Sequence, residues 1–311
     1  MLQTKDGVSP SCVALPDGPW RTVLDFLTHR LPGINRDEWA ERMQGGLVVD
    51  AHGSQVPADA AYRPQTKLYY WRSLAFEHAI PFEARVVFQD DYLVVADKPH
   101  FLPVTPSGRY LNETLLVRLK RQLGIDTLTP MHRIDRETAG LVAFTVQPHT
   151  RHAYQALFKD KAVRKSYEAI APLNPTLSLP MWRRSRLAES AHFMAMHEVD
   201  GPSNAETHIT LIESAEGWGR YQLQPTTGQK HQLRVHMMAL GMPILNDQIY
   251  PVLQPSQPAN VAPDYSHPLQ LLAQSLSFTD PITGQARQFH CGHGLNLRLA
   301  LNAGPSPHQA E

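Results

Sequence analysis

The sequence contains an aspartate set between two arginines on a polar turn, a group that could do covalent chemistry. Asp135 stands in Met131-His132-Arg133-Ile134-Asp135-Arg136, ahead of an apolar run from Leu141 to Thr145. A nearby positive charge favours the ionised carboxylate, and an ionised carboxylate can attack a sugar carbon. The same residues also make an ordinary surface ion pair, and ion pairs are far commoner than nucleophiles. Two further stretches offer partners. Lys165-Ser166-Tyr167 opens a strand, where Tyr167 could stack on a base, take a proton, or simply be a strand aromatic. Thr227-Gly228-Gln229-Lys230-His231-Gln232-Leu233-Arg234-Val235-His236 runs from a glycine turn into a helix start rich in donors. Such a start suits an anion, or a carboxylate in need of a partner. Lys230 and Arg234 are four apart and would share a helix face. A solvated polar face is the plainer reading.

Charge is unevenly spread. The 311-residue chain has a formal net charge of zero, which argues against non-specific coating of nucleic acid. Yet residues 151–186 hold eight Lys or Arg and two acids. Trp182 sits beside Arg183 and Arg184 there. Cations with an aromatic among them suit an RNA strand, whose phosphates need charge and whose open bases stack; a solvated face is the alternative. His290-Cys291-Gly292-His293 has the look of a metal fragment, but no second ligand pair accompanies it, so no metal is expected. No GxGxxG or GxxxxGK[ST] stretch is present, so no nucleotide cofactor is expected either. Cys12 and Cys291 make no disulfide framework. No apolar stretch is long enough to span a bilayer, and the N-terminus lacks a signal-peptide core, so a cytoplasmic location is expected.

The elements that must position these groups can be outlined from periodicity. Residues 1–18 read as a loose tail. Val23, Phe26, Leu27 and Leu31 fall at helical spacing, and Pro32-Gly33 breaks that helix. Asn35 and Glu38 form a capping-box pattern for a second helix, which Gly45-Gly46 ends. Leu47–Val49 is a short strand. These make a small unit over 19–72, followed by a linker over 73–84. The main domain spans 85–301, with strands near 86–88, 93–96, 141–145, 167–171, 207–211, 221–223 and 271–278. Helices are expected around Leu115–Leu123, Ala153–Leu157 and His231–Leu240. Residues 251–264 read as an exposed loop and 302–311 as a second tail. Strands outnumber helices and often follow one another directly. That favours an α+β fold with a mixed or antiparallel sheet and flanking helices.

Taken in order, these stretches resemble the RluA family of pseudouridine synthases over about residues 85–300. Asp90–Pro99 is similar to the family's entry motif. His132–Leu141 is similar to the signature around its catalytic aspartate, with Ile134 and Ala139 where the family usually has Leu and Ser. Lys165 and Tyr167 match its tyrosine segment. Gly228 to His236 matches its late motif, with Gln229-Lys230 in place of Arg-Thr or Arg-Ser, and Pro243–Asp247 continues it. Leu272 stands where the family commonly has His. Residues 19–72 resemble a degenerate S4 domain, an RNA-binding module, although residues 1–80 carry eight Lys or Arg against nine acids.

The resemblance implies a cofactor-free isomerase converting uridines of structured ribosomal or transfer RNA to pseudouridine. Asp135 would be the essential carboxylate, attacking the sugar or assisting loss of the base. Arg234 would pair with Asp135, and Tyr167 would stack on the flipped uracil. Arg133 would fill the gap left by that base or hold a phosphate. Arg136, Lys165, Lys230, Arg183 and Arg184 complete the expected RNA-binding set. The chain is expected to act as a monomer, away from membranes. The rivals are an inactive RNA-binding protein of the same fold and an unrelated glycosidic-bond hydrolase. The latter needs a second carboxylate or activated water, to which the sequence does not point.

Overall fold

A computed structural model describes residues 2, 4–74, 76–190, 195–255, 257–258 and 261–302. The chain forms two compact units: residues 1–77, 108–112 and 117–126 make the first, and residues 78–107, 113–116 and 127–311 the second. Residues 108–112 and 117–126, read from sequence as catalytic domain, therefore cluster with the N-terminal unit. The boundary is crossed more than once, which a linear reading cannot anticipate.

The first unit contains β1 (Ser11–Ala14), α1 (Val23–Arg30), α2 (Arg36–Gln44), β2 (Val48–Val49) and β3 (Lys67–Tyr70). Its sheet has the order β1-β3-β2, all antiparallel. Residues 11–14 are thus not loose tail. They pair with residues 67–70 because β3 offers a free edge, a partner too distant in sequence to be foreseen. Phe26, Leu27, Trp39, Met43 and Val48 have no exposed surface and form the core. Thr22 and Asp25 exchange reciprocal bonds in a complete capping box at α1. At α2, Asn35 accepts from Glu38 N at 2.8 Å, while the Glu38 carboxylate accepts from Arg42. Half of the expected box is used there, and the other half becomes an i,i+4 ion pair.

The second unit is built on an 11-stranded sheet. Its strands are β4 (Arg85–Gln89), β5 (Leu93–Lys98), β6 (Thr129–Pro130), β7 (Ala139–Thr145), β8 (Arg164–Pro172), β9 (Met181–Glu189), β10 (Met196–Val199), β11 (Ala205–Ala215), β12 (Trp218–Pro225), β13 (Leu271–Thr279) and β14 (Ala286–His290). The helices are α3 (Leu115–Leu123), whose residues divide between the units, α4 (Arg151–Lys159), α5 (Gln232–Ala239) and α6 (Leu297–Asn302). The main path runs β10-β9-β11-β12-β8-β13-β7-β5-β4, with β14 on β13 and β6 on β7. Every pairing is antiparallel except β7 with β13, so the sheet is mixed. This is the α+β architecture the strand pattern implies.

One core cluster gathers Leu93, Val95, Leu141, Tyr154, Leu276 and Phe289. Another gathers Ala169, Ile209, Tyr221, Leu223, Leu233 and Met237, so α5 is docked on the sheet by Leu233 and Met237. Strand β9 overlaps the end of the basic segment and alternates across the pleat: Trp182, Arg184 and Arg186 are exposed, while Arg183, Ser185 and Leu187 are partly or fully buried. Residues 251–255, 257–258 and 261–264 of the expected loop carry no helix or strand; 256, 259 and 260 lie outside the described residues, as do 303–311 of the expected tail. Among the described residues, no helix is long and apolar enough to cross a membrane.

Candidate active site

Asp135 lies on the loop joining β6 to β7. The loop is tied at its entry by Met131 N donating to Ala143 O at 2.9 Å. Inside it, Thr138 N donates to Asp135 O at 3.2 Å. At its exit, Gly140 pairs with Ala273 of β13 at φ +108°. A Cβ there would sit 2.3 Å from Ala273 O and 2.7 Å from Ala273 N. Both the dihedral and the close backbone approach demand glycine.

A second set of ties comes from the end of β5. Lys98 has no exposed surface, and its Nζ donates to Pro99 O at 2.9 Å and to Arg136 O at 3.0 Å. His100 Nδ1 donates to Glu137 O at 2.7 Å. Two consecutive carbonyls beside Asp135 are thereby clamped. Burial lowers the Lys98 pKa to about 7, against the pull of Glu137, Asp135 and Asp97. Burial likewise lowers His100 to about 4, so its ring is neutral.

The depressed Lys98 pKa makes a stability prediction. The unfolded chain keeps an ordinary lysine, so between about pH 7 and 10.5 it binds more protons than the folded one. Stability conferred through this group therefore rises with pH across that window, by at most about 1.4 kcal/mol per pH unit for one proton. Lys98→Met is expected to flatten the slope, as read from urea midpoints at pH 7 and pH 9. An unchanged slope would mean Lys98 carries its charge in the folded protein throughout.

The cation facing Asp135 comes from neither flanking arginine. Arg133 is exposed and has no ion-pair partner among the described residues, and Arg136 Nε bonds Glu137 at 2.8 Å. Arg234 of α5 reaches Asp135 instead, with Nη1 donating to Oδ2 at 3.1 Å. Arg234 is itself 1% exposed and is gripped by Asp247, Nε to Oδ2 at 2.8 Å and Nη2 to Oδ1 at 2.6 Å. Burial disfavours the charged guanidinium, but the hydrogen bonds and charge of Asp247, with Asp135, outweigh this and raise its pKa above the ordinary value. Asp247 Oδ1 also accepts from Ile249 N at 2.8 Å and Tyr250 N at 3.1 Å.

Just before α5, His231 adopts φ +54° and sets Nε2 3.8 Å from Asp135 Oδ2. Its Nδ1 lies 3.0 Å from the Tyr250 hydroxyl. Burial holds the His231 pKa below the usual histidine value, against Asp135. Tyr167 on β8 feels the same carboxylate. Burial first, and the Asp135 charge second, raise its phenol pKa well above the ordinary value. Its ground state is the neutral phenol. The site is a carboxylate at 26% exposure with a buried, doubly anchored guanidinium behind it. A neutral imidazole and a neutral phenol complete its polar surroundings. A carboxylate so fixed can attack an electron-poor carbon or stabilise a cation formed there.

The remaining sequence-derived candidates scatter. Lys165 Nζ donates to Thr227 O at 2.8 Å, joining the start of β8 to the turn before α5, and burial lowers its pKa to about 8. Lys230 precedes α5 and is exposed, so it shares no helix face with Arg234 as expected. The left-handed His231 breaks the helical phase between them. Nor is α5 a solvated face: Gln232, Arg234 and His236 are all buried. Gln232 bonds Glu206 O and Thr207, and His236 sits between Thr207 and Ser185. Arg183 pairs with Glu198, and Arg184 with Glu206 while lying 5.3 Å over the Trp182 ring. Neither contacts Asp135. Sequence reasoning did not place Lys98, His231, Asp247 or Tyr250 in the site. Asp247 falls within the stretch extending the late-motif resemblance, which was the one available signal.

Comparison with known proteins gives a consistent picture. The family model described as RNA pseudouridylate synthase matches residues 92–239. The chain is 32% identical over 245 residues to ribosomal large subunit pseudouridine synthase D of Haemophilus influenzae, covering 73% of each. It is 30% identical to the dual-specificity RNA pseudouridine synthase RluA of the same organism, covering 66% of this chain and 91% of that one. Among solved structures, the human RNA pseudouridylate synthase domain containing 4 superposes with a TM-score of 0.54 at 26% identity, covering 70% of this chain and 92% of that one.

Proposed function

The chain belongs to the RluA family of RNA pseudouridine synthases, and we propose from this that Asp135 is the essential group with which it isomerises uridines of structured ribosomal or transfer RNA. The observation that carries the reading is the Asp135–Arg234–Asp247 chain of ion pairs, closed at 3.1 and 2.6 Å. The reaction breaks the bond from C1′ to the base nitrogen, turns the uracil, and joins its C5 to C1′. Substrate and product are isomers. A stacked base cannot turn, so the nucleotide must leave the helix. Asp135 then adds to C1′ or assists departure of the base; either route places negative charge where the sugar becomes electron-poor. Arg234 holds that carboxylate in place. Tyr167, with its proton retained, stacks on the freed uracil and supplies a hydrogen bond. Arg133, exposed beside Asp135, fills the vacated position or takes a phosphate.

The basic segment supplies RNA contacts at a distance from the chemistry. Arg183 and Arg184 exchange their carboxylate partners for phosphates. Replacing both by Ala is expected to weaken RNA binding and reduce the slope of affinity against salt by up to about two phosphate contacts. Binding measured at several salt concentrations checks this, and an identical slope would exclude both as phosphate ligands. The S4-like reading of residues 19–72 is retained as a proposal, with modest RNA affinity because residues 1–80 carry no basic excess, eight Lys or Arg against nine acids.

Incubation with uridine-containing RNA, followed by nucleoside analysis, tests the function. Pseudouridine without free uracil supports isomerisation. Free uracil would point to a hydrolase, and unchanged uridine on every RNA tested to a binding protein without catalysis.

A further inference from the structure

The fragment His290-Cys291-Gly292-His293 lacks a second ligand pair in sequence, but the fold supplies another ligand. Asp97, at the end of β5, meets Cys291 just past the end of β14 and His293 two residues on. The Cys291 Sγ lies 3.4 Å from Asp97 Oδ1, and His293 Nε2 lies 3.1 Å from Asp97 Oδ2. One ligand atom from each of the three falls within 4.8 Å of the others. Ligand atoms on a tetrahedral zinc ion lie roughly 3.3–3.7 Å apart. Closing the widest of these separations, by up to about 1 Å, would bring all three onto one cation.

The surroundings fit such a site. Asp97 and Cys291 are buried, so two ligands are fixed, while the His293 side chain is 57% exposed and free to turn. Asp97 and His293 line an open cleft of about 270 Å³. A fourth position facing it would be open to water or a small ligand. A thiolate and a carboxylate would balance a divalent charge, with the thiol proton released on binding. The competing group is Arg85, whose Nη2 stands 3.7 Å from Asp97 Oδ2. That side chain is 62% exposed and can swing away. Gly292 gives it room: a Cβ there would lie 2.7 Å from Arg85 Nη2.

We propose that Asp97, Cys291 and His293 form a three-ligand binding site for a divalent cation of the zinc class, with its open position facing the cleft. The three ligands do not include Asp135, and the proposal does not depend on the reaction proposed there. The test uses the metal-stripped full chain. Zinc affinity is read by competition with a chromogenic chelator, and cobalt binding by the thiolate-to-cobalt absorption band.

One equivalent is expected to bind and give that band. Cys291→Ser should abolish the band, and His293→Ala should weaken zinc binding at least about tenfold, since even outer-shell losses reach that size. Arg85→Ala should strengthen it by removing the rival cation. Cys12→Ser should leave the band unchanged, and circular dichroism confirms that each variant folds. Absence of the band in the unmodified chain, a band lost with Cys12, or equal zinc affinity in the His293 and Arg85 variants would each overturn the site.

Discussion

Asp135→Asn protein is expected to form no pseudouridine, with turnover reduced by about 10⁴-fold or more, while its affinity for RNA stays within a few-fold of the parent. Loss of an essential nucleophile typically costs 10⁴–10⁶ in turnover. The amide keeps the shape of the carboxylate, and its oxygen can still accept the Arg234 Nη1 hydrogen bond. Arg234 also keeps Asp247, so no buried charge is stranded. Asp135 is 26% exposed, so little folding energy should be lost with its charge. Turnover on a uridine-containing RNA, filter binding to the same RNA and a urea midpoint together make the test. Product at the parental rate would remove Asp135 from the mechanism. Loss of binding along with turnover would give it a structural role instead.

The second large effect concerns a residue that does not face substrate. Asp247→Ala is expected to destabilise the chain by about 3–5 kcal/mol, the usual result of removing one partner from a buried pair. Asp247 has no exposed side-chain surface and takes two hydrogen bonds from Arg234 and two from backbone. Without it, Asp135 is the one ion-pair partner left to the guanidinium among the described residues, with the charge of Glu137 nearby. Arg234 should then shift toward Asp135, and activity should fall with stability. Adding Arg234→Met should restore much of the stability, because the stranded charge is gone, and none of the activity. A double-mutant cycle from denaturant midpoints, with turnover measured alongside, separates the two consequences. A loss below about 1 kcal/mol for Asp247→Ala would mean that water or another carboxylate already compensates Arg234.

Much of this arrangement can be read from the residues. Periodicity places α1, α2, α3 and most long strands within a few positions, because each has an apolar face of its own. Strand β9 escapes notice because its outward positions are Trp182, Arg184 and Arg186, which read as a charge run. Strands β1 and β3 escape because they pair with each other across more than fifty residues, which nothing local to either reveals. In the site, Asp135, Tyr167 and Arg234 are legible because each sits in a recognisable local motif. Lys98 is not, since a lysine at a strand end reads as solvated and buried lysines are rare. Asp247 resembles any loop aspartate until Arg234 is seen to end against it. The polar run through α5 looks solvated because nothing local reveals that Leu233 and Met237 press the helix onto the sheet.

The position of β13 bears on how the enzyme is made. This strand is translated late, yet it lies in the middle of the sheet, pairing with β8 on one side and β7 on the other. The first of these carries Tyr167, and the second follows directly on the Asp135 loop. A nascent chain ending before residue 271 holds Asp135, Tyr167 and Arg234 but has two sheet fragments with unjoined edges. Closure waits for a strand more than one hundred residues downstream of Asp135, a non-local step of the kind that slows folding. Until it happens, the exposed edges are the most aggregation-prone parts of the molecule. Ribosome-bound chains released just before and just after β13 should therefore differ sharply in protease resistance.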